Sequence, residues 1–229
     1  MGLIQPDTNA PIGIIGGTFD PIHIGHLSLA KSAKAAFALG SLRFLPSGNP
    51  WQKTREITPA AHRLAMLKIA LEQWQDVQID TQEIDRNTTD NGAKSAAPSY
   101  TIDSLAHMRK QLGDTVALVL VIGSDQLQRF NTWHRWLEIL DYCHLAVTQR
   151  ERVPLTGLPE PVEALVNHHG AARLPDSGAG SIVFFSMPPM PVSSTALRLS
   201  LQNNQDVSAL VPEGVLNYIK QHSLYKNPA

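Results

Sequence analysis

A single cysteine, Cys143, among 229 residues leaves no intrachain disulfide framework and no site built from several thiolates. Basic charge is not in excess either: nineteen Lys and Arg stand against twenty Asp and Glu, a net charge of -1. With no Lys/Arg-rich run, no nucleic-acid partner gripped through many phosphate contacts is expected. No apolar stretch approaches the ~20 residues that cross a bilayer, so no membrane partner is expected. Met1 to Pro11 lacks the basic patch and apolar run of a secretory signal, and a cytoplasmic location is expected. What is present is 43% hydrophobic residues in a chain long enough to bury roughly 70% of its unfolded surface, with no disulfide or metal staple needed. The expected organisation is one domain over residues 1–229, with a small helical part from about 187.

Apolar runs alternate with stretches of helical period. Ile12 to Gly16 predicts a buried strand, and Leu27 to Leu39 a helix with Gly40 as its C-cap. Leu42 to Leu45 predicts a strand stopped by Pro46. Thr58 predicts an N-cap with Pro59 at the first helical position, opening a helix to about Trp74. Val77 to Asp80 predicts a short strand and Thr101 to Leu112 a helix. Val116 to Ile122 is apolar throughout, as a central parallel strand covered on both faces should be. Trp133 to Leu140 predicts a helix, His144 to Thr148 a strand, Ile182 to Phe185 the last strand, and Ser194–Leu201 and Glu213–His222 the closing helices. Asn87 to Ala97 and Pro175 to Ser181 read as surface loops. This alternation predicts an α/β fold: a doubly wound, Rossmann-like parallel sheet with helices on both faces.

The stretch Gly16-Gly17-Thr18-Phe19-Asp20-Pro21-Ile22-His23-Ile24-Gly25-His26 falls where the first strand gives way to the first helix, the place where open α/β sheets bind ligands. The paired glycines permit a tight turn, and free N–H groups at the helix start suit an anion. His23 and His26 share a face there, with Gly25 leaving room for a ligand, and two imidazoles can donate to a phosphate. The glycine spacing does not fit GxGxxG, and no Gly-Lys-Ser/Thr follows as in a Walker A loop. A zinc site would need further ligands, and a glycine turn with two surface histidines remains open. Near the other end, Ser193-Ser194-Thr195 reads as a hydroxyl-rich helix start with Arg198 one turn on, able to fork onto phosphate oxygens. A plain N-cap with an exposed arginine is the alternative.

The first stretch resembles the signature of the nucleotidyltransferase superfamily that carries the HxGH motif. Val192 to Arg198 resembles that superfamily's second motif, ISSTxxR. Pro98-Ser99-Tyr100-Thr101, Ile122-Gly123-Ser124-Asp125, Phe130-Asn131-Thr132-Trp133 and the tail from Leu210 to Tyr225 resemble the bacterial nicotinate mononucleotide adenylyltransferases, and the likeness runs from about Ile12 to Tyr225. The resemblance implies adenylyl transfer from ATP to nicotinate mononucleotide, with release of pyrophosphate, in NAD biosynthesis. It implies that Gly16, Gly17, Thr18 and Phe19 line the junction of the two nucleotides. His23 and His26 would bind the ATP phosphates, with Ser194, Thr195 and Arg198 opposite. Gly123 and Asp125 would contact a ribose, and Trp133 would stack on the pyridine ring with Thr101 near its carboxylate.

Taken without the family, Trp133 and Trp136 at helical spacing fit core packing, and Asp125 fits a cap of the next turn. One departure concerns Pro46 to Lys53: the family's histidine position holds Gln52, while Lys53 keeps the following basic position and is the expected phosphate contact. Asn87 to Ala97 resembles an insertion ahead of Pro98.

The acceptor in such a reaction is a phosphate monoester with a second pKa of about 6, so no general base is needed. Catalysis is expected from positioning and electrostatics, with His23, His26, Lys53 and Arg198 as the catalytic set. Mg2+ is expected on the ATP phosphates, with no metal site in the protein itself. Two rival expectations are an adenylyltransferase for another phosphate acceptor such as phosphopantetheine, and a non-catalytic nucleotide-binding sensor. Self-association into a homo-oligomer is compatible with the sequence.

Overall fold

The structure is a computed structural model that describes residues 10–49, 57–86, 98–148 and 157–226. Along the chain run β1 (Ile12–Gly17), α1 (Ile24–Ala36), β2 (Ser41–Pro46), α2 (Ala60–Leu71), β3 (Val77–Ile79), α3 (Gln82–Arg86) and α4 (Thr101–Leu112). Then follow β4 (Leu118–Gly123), α5 (Ser124–Leu127), α6 (Ile139–Tyr142), β5 (His144–Thr148), α7 (Glu160–His169), β6 (Gly170–Ala171), β7 (Ile182–Phe185), α8 (Ser194–Gln202) and α9 (Glu213–Gln221). The sheet order is β3-β2-β1-β4-β5-β7-β6. β1 pairs parallel with β4, β4 with β5, β5 with β7, and β6 with β7. Every residue of β4 and β5 is buried, which requires cover on both faces of the sheet. The α/β doubly wound architecture is therefore present. The chain reverses its direction of travel across the sheet between β1 and β4, and open α/β sheets bind ligands at the carboxyl ends of strands flanking such a reversal.

Contacts cluster into two compact units. Among the described residues, one comprises 10–16, 29–44, 100–148 and 157–189, and the other 17–28, 45–49, 57–86, 98–99 and 190–226. In the first, the central stabilising side chain is Arg109, only 8% exposed on α4. Its guanidinium donates to the carbonyls of Gly113 (2.8 Å) and Val116 (2.7 Å), twice to Tyr142 (3.2 and 2.6 Å), and to Gly178 (2.9 Å). Three connecting segments are thereby tied to one helix end. In the second unit α2 packs on α9, and His62 Nδ1 lies 3.0 Å from Tyr218 Oη.

Several boundaries differ from expectation. α1 begins at Ile24 and ends at Ala36, with Ala38 and not Gly40 in the left-handed region (φ 47). Gly40 serves packing: its N–H donates to Pro11 O at 2.9 Å, and a Cβ there would lie 2.5 Å from that of Ala10. Pro59, not Thr58, is the N-cap of α2, because the Thr58 carbonyl is engaged by Arg63 Nε at 2.9 Å. That helix stops at Leu71, three residues short of Trp74. Trp133 to Leu140 is not one helix: 3-10 turns at Phe130–Thr132 and Trp136–Glu138 precede α6, broken at Arg135 with φ 51. α3, α5, α7 and β6 were not anticipated. Among the described residues no helix is long and apolar enough to cross a membrane.

Candidate active site

The loop after β1 is set by its own backbone. Gly16 has open space where a Cβ would stand, so a ligand can approach the main chain there. Phe19 takes a left-handed conformation (φ 49) and drops its ring into the core, 1% exposed. The strain of that conformation is tolerated because burial of the ring holds it. His23 then starts α1, its carbonyl accepting from His26 N–H at 3.0 Å and Leu27 N–H at 3.4 Å. In return, His26 Nδ1 accepts the His23 backbone N–H at 3.3 Å, the role a glutamate plays in a capping box. The acceptor role at Nδ1 leaves the neutral ring's hydrogen on Nε2, where it can be donated. The two imidazoles stack with centroids 3.7 Å apart, and the Phe19 ring meets His26 edge-on at 5.1 Å. His23 is 4% exposed and His26 partly exposed, so His26 is the more accessible donor.

The space beside Gly25 is already filled. A Cβ at this position would lie 2.9 Å from Val192 Cγ1 and 3.0 Å from the His23 ring, so the glycine admits protein side chains and not a ligand group. Gly25→Ala is expected to displace His23 from its stack and lower turnover by about tenfold or more. Alanine is the better helix former, so the loss would be steric. Steady-state turnover read beside a thermal melt checks this; unchanged turnover would mean that Val192 simply yields.

The second motif docks on the same loop. Ser193 caps α8, accepting from Ala196 N–H at 3.2 Å. Ser194 Oγ donates to Pro21 O at 3.1 Å, and Arg198 Nη1 donates to Asp20 O at 2.6 Å. Arg198 Nη2 also donates to Thr195 Oγ1 at 3.2 Å. Stretches more than 170 residues apart are thus held together next to His23 and His26. Thr18 presents its carbonyl to Arg63 Nη1 at 2.8 Å.

The other predicted site residues belong to the sheet-bearing unit. Gly123 ends β4 in the strand next to β1, whose end holds Gly16, and it caps α5. Asp125 lies in the first turn of α5 and accepts from Gln126 Nε2 at 3.1 Å, with no side-chain cap formed. Thr101 opens α4. Trp133 is half-buried in extended backbone, its ring 5.3 Å from that of Phe130, and its indole Nε1 is buried without a hydrogen-bond partner among the described residues. An unsatisfied buried donor is costly, and a ligand acceptor would remove that cost. Gln52, Lys53 and the Asn87–Ala97 stretch lie outside the described residues.

Sequence reasoning missed several supports. Arg63, 1% exposed, grips Thr18 O and Thr58 O, and burial holds its guanidinium below the usual arginine value despite the opposing pull of Asp20, Tyr225 and Glu83. Ser99, in the Pro-Ser-Tyr-Thr stretch, pairs with Asn49 in both directions: Asn49 N–H to Ser99 Oγ at 3.1 Å and Ser99 N–H to Asn49 O at 3.1 Å. A buried acidic residue in the first motif, Asp20, was the available signal for the first of these networks.

The Cytidylyltransferase-like family model matches residues 14–200. A protein of Dechloromonas aromatica named "Probable nicotinate-nucleotide adenylyltransferase" is 36% identical over 222 residues, covering 95% of this chain and 98% of the relative. A Pseudomonas aeruginosa protein of the same name is 38% identical over 222 residues, with the same coverages. Among solved structures, the Plasmodium falciparum nicotinic acid mononucleotide adenylyltransferase complexed with APC superposes with a TM-score of 0.69 at 14% identity, covering 94% of this chain and 97% of that one. The same enzyme complexed with NaAD gives 0.68 at 16% identity, covering 94% and 97%; at such identities the likeness speaks for the fold. With a family model spanning most of its length and relatives 36% and 38% identical over nearly their full length, the chain belongs to the cytidylyltransferase-like family, among the nicotinate-nucleotide adenylyltransferases.

Proposed function

We propose that the chain joins ATP and nicotinate mononucleotide into nicotinate adenine dinucleotide and pyrophosphate, with His23, His26, Arg198, Ser194 and Thr195 facing the triphosphate. A phosphate oxygen of the mononucleotide forms a bond to the α-phosphorus as the bond to the leaving pyrophosphate breaks. The nucleophile is already ionised near neutral pH, so the protein supplies no base. Its task is to hold two anions in line and to place donors where charge gathers. The observation that supports this most directly is the docking of Arg198 and Ser194 onto the Asp20 and Pro21 carbonyls, beside the stacked histidines.

Lys53 is proposed as a further phosphate contact, on its place in the sequence alone. Among the described residues no group of three or more His, Cys, Asp or Glu could hold a metal ion. Mg2+ is proposed to enter on the ATP phosphates, where it would neutralise part of their charge. The deciding experiment is pyrophosphate release from ATP with nicotinate mononucleotide, nicotinamide mononucleotide or phosphopantetheine as acceptor, with and without Mg2+. Release with the pyridine nucleotides alone is expected; none with either would sink the reading.

Trp133 is proposed to stack on the pyridine ring, and its buried indole N–H supports this. Trp133→Ala is expected to raise the KM for the mononucleotide by about five- to 150-fold, the weight of one stacked ring, while KM for ATP stays nearly constant. A parallel change in both constants, or a variant that no longer folds, would return Trp133 to the core.

A further inference from the structure

Asp20 belongs to the first motif, meets Arg198 of the second, and is 1% exposed. Its main-chain carbonyl takes Arg198 Nη1 at 2.6 Å, and its carboxylate Oδ1 accepts the Tyr225 hydroxyl at 2.7 Å. Tyr225 stands 205 residues further along the chain, past the end of α9, in left-handed backbone with φ 60. Burial first, and the Asp20 charge next, push the phenol well above its ordinary value, so it remains a donor across the physiological range. Arg63 completes the support through the carbonyls of Thr58 and Thr18. Residues 18–21 are thus braced by α2 and the Tyr225 segment as well as by α8.

We propose that Tyr225 is a positioning residue for the triphosphate: by fixing the Asp20 carboxylate it fixes the peptide whose carbonyl orients the Arg198 guanidinium. This deepens the function proposed above and rests on it, since Arg198 is taken as the phosphate ligand. A long arginine has many rotamers, and a bond to one well-placed carbonyl selects among them. The carbonyl keeps its place only if the adjoining carboxylate does, and the carboxylate is anchored by a donor from the distant tyrosine.

Tyr225→Phe removes that donor and retains the ring. Calorimetric titration with ATP, and separately with nicotinate mononucleotide, reads the effect without turnover. ATP affinity is expected to fall about tenfold, the weight of one hydrogen bond to a charged group, with mononucleotide affinity changed by under about twofold. In an Arg198→Lys background the same substitution is expected to change ATP affinity by under about twofold, because the forked side chain it orients is gone. No loss, an equal loss for both nucleotides, or a full loss persisting in the Arg198→Lys background would each overturn the proposal. Should Tyr225→Phe fail to fold, Asp20→Ala, which removes the acceptor of the tyrosine's bond and keeps the main-chain carbonyl that takes Arg198, enters the same titrations with the same criteria. Pyrophosphate release by the unaltered chain is scored separately, so a failure of the activity and a failure of the tyrosine's role are told apart.

Discussion

Replacing His26 by alanine is expected to cut turnover by at least about 10²–10³ while the protein stays folded, the usual loss when one preorganised donor to developing charge is removed. The size follows from how tightly the ring is held. Its Nδ1 is committed to the His23 N–H, one face lies on the His23 ring, and the edge of Phe19 bounds it further. The ring is therefore held in one orientation, and little reorganisation is needed when charge appears on the phosphates. The structural cost is small, because losing the reciprocal cap removes about 1 kcal/mol from one helix start. Pyrophosphate release at saturating substrates, with a melting curve on the same sample, checks the expectation. A variant within a few-fold of normal turnover would take His26 out of the chemistry.

Arg109→Leu is expected to be the most destabilising single change outside the phosphate loop. The guanidinium makes five hydrogen bonds to four carbonyls, drawn from the end of α4, the strand approach at Val116, the end of α6 and the segment around Gly178. Leucine fills the volume of the stem but leaves those acceptors without donors, each orphaned group costing about 1–3 kcal/mol where water cannot replace the bond. Allowing for water at the more open carbonyls, a total of about 3–5 kcal/mol is expected, or about 8–15 °C in Tm for a chain of this length. Denaturant titration measures it. A loss under about 1 kcal/mol would show that the carbonyls find other donors. Arg109→Lys should recover only part, since one ammonium cannot reach four segments.

The two kinds of residue behind these expectations were unequally visible in the sequence. β4, β5 and α4 were legible because burial on both faces, or a clean helical stripe, writes itself into residue types. The loop after β1 was legible as a candidate site because glycines and imidazoles fall together where β1 gives way to α1. Trp133 to Leu140 misled because aromatic spacing suggested one helix where Arg135 breaks the chain with φ 51. Thr58 misled because its carbonyl had a better partner than its own helix. Arg63 and Arg109 were invisible: their acceptors are main-chain carbonyls, which every residue carries and no residue type announces.

Three of the links that hold residues 18–21 end on the carbonyls of Thr18, Asp20 and Pro21. An oxygen that belongs to the polypeptide backbone cannot be lost by substituting the residue that bears it. Thr18 and Pro21 can therefore drift among side chains that preserve the path of the chain, and the grip of the two arginines and the serine survives the change. At this corner the three bonds depend on the path of the main chain more than on the side chains of Thr18 and Pro21.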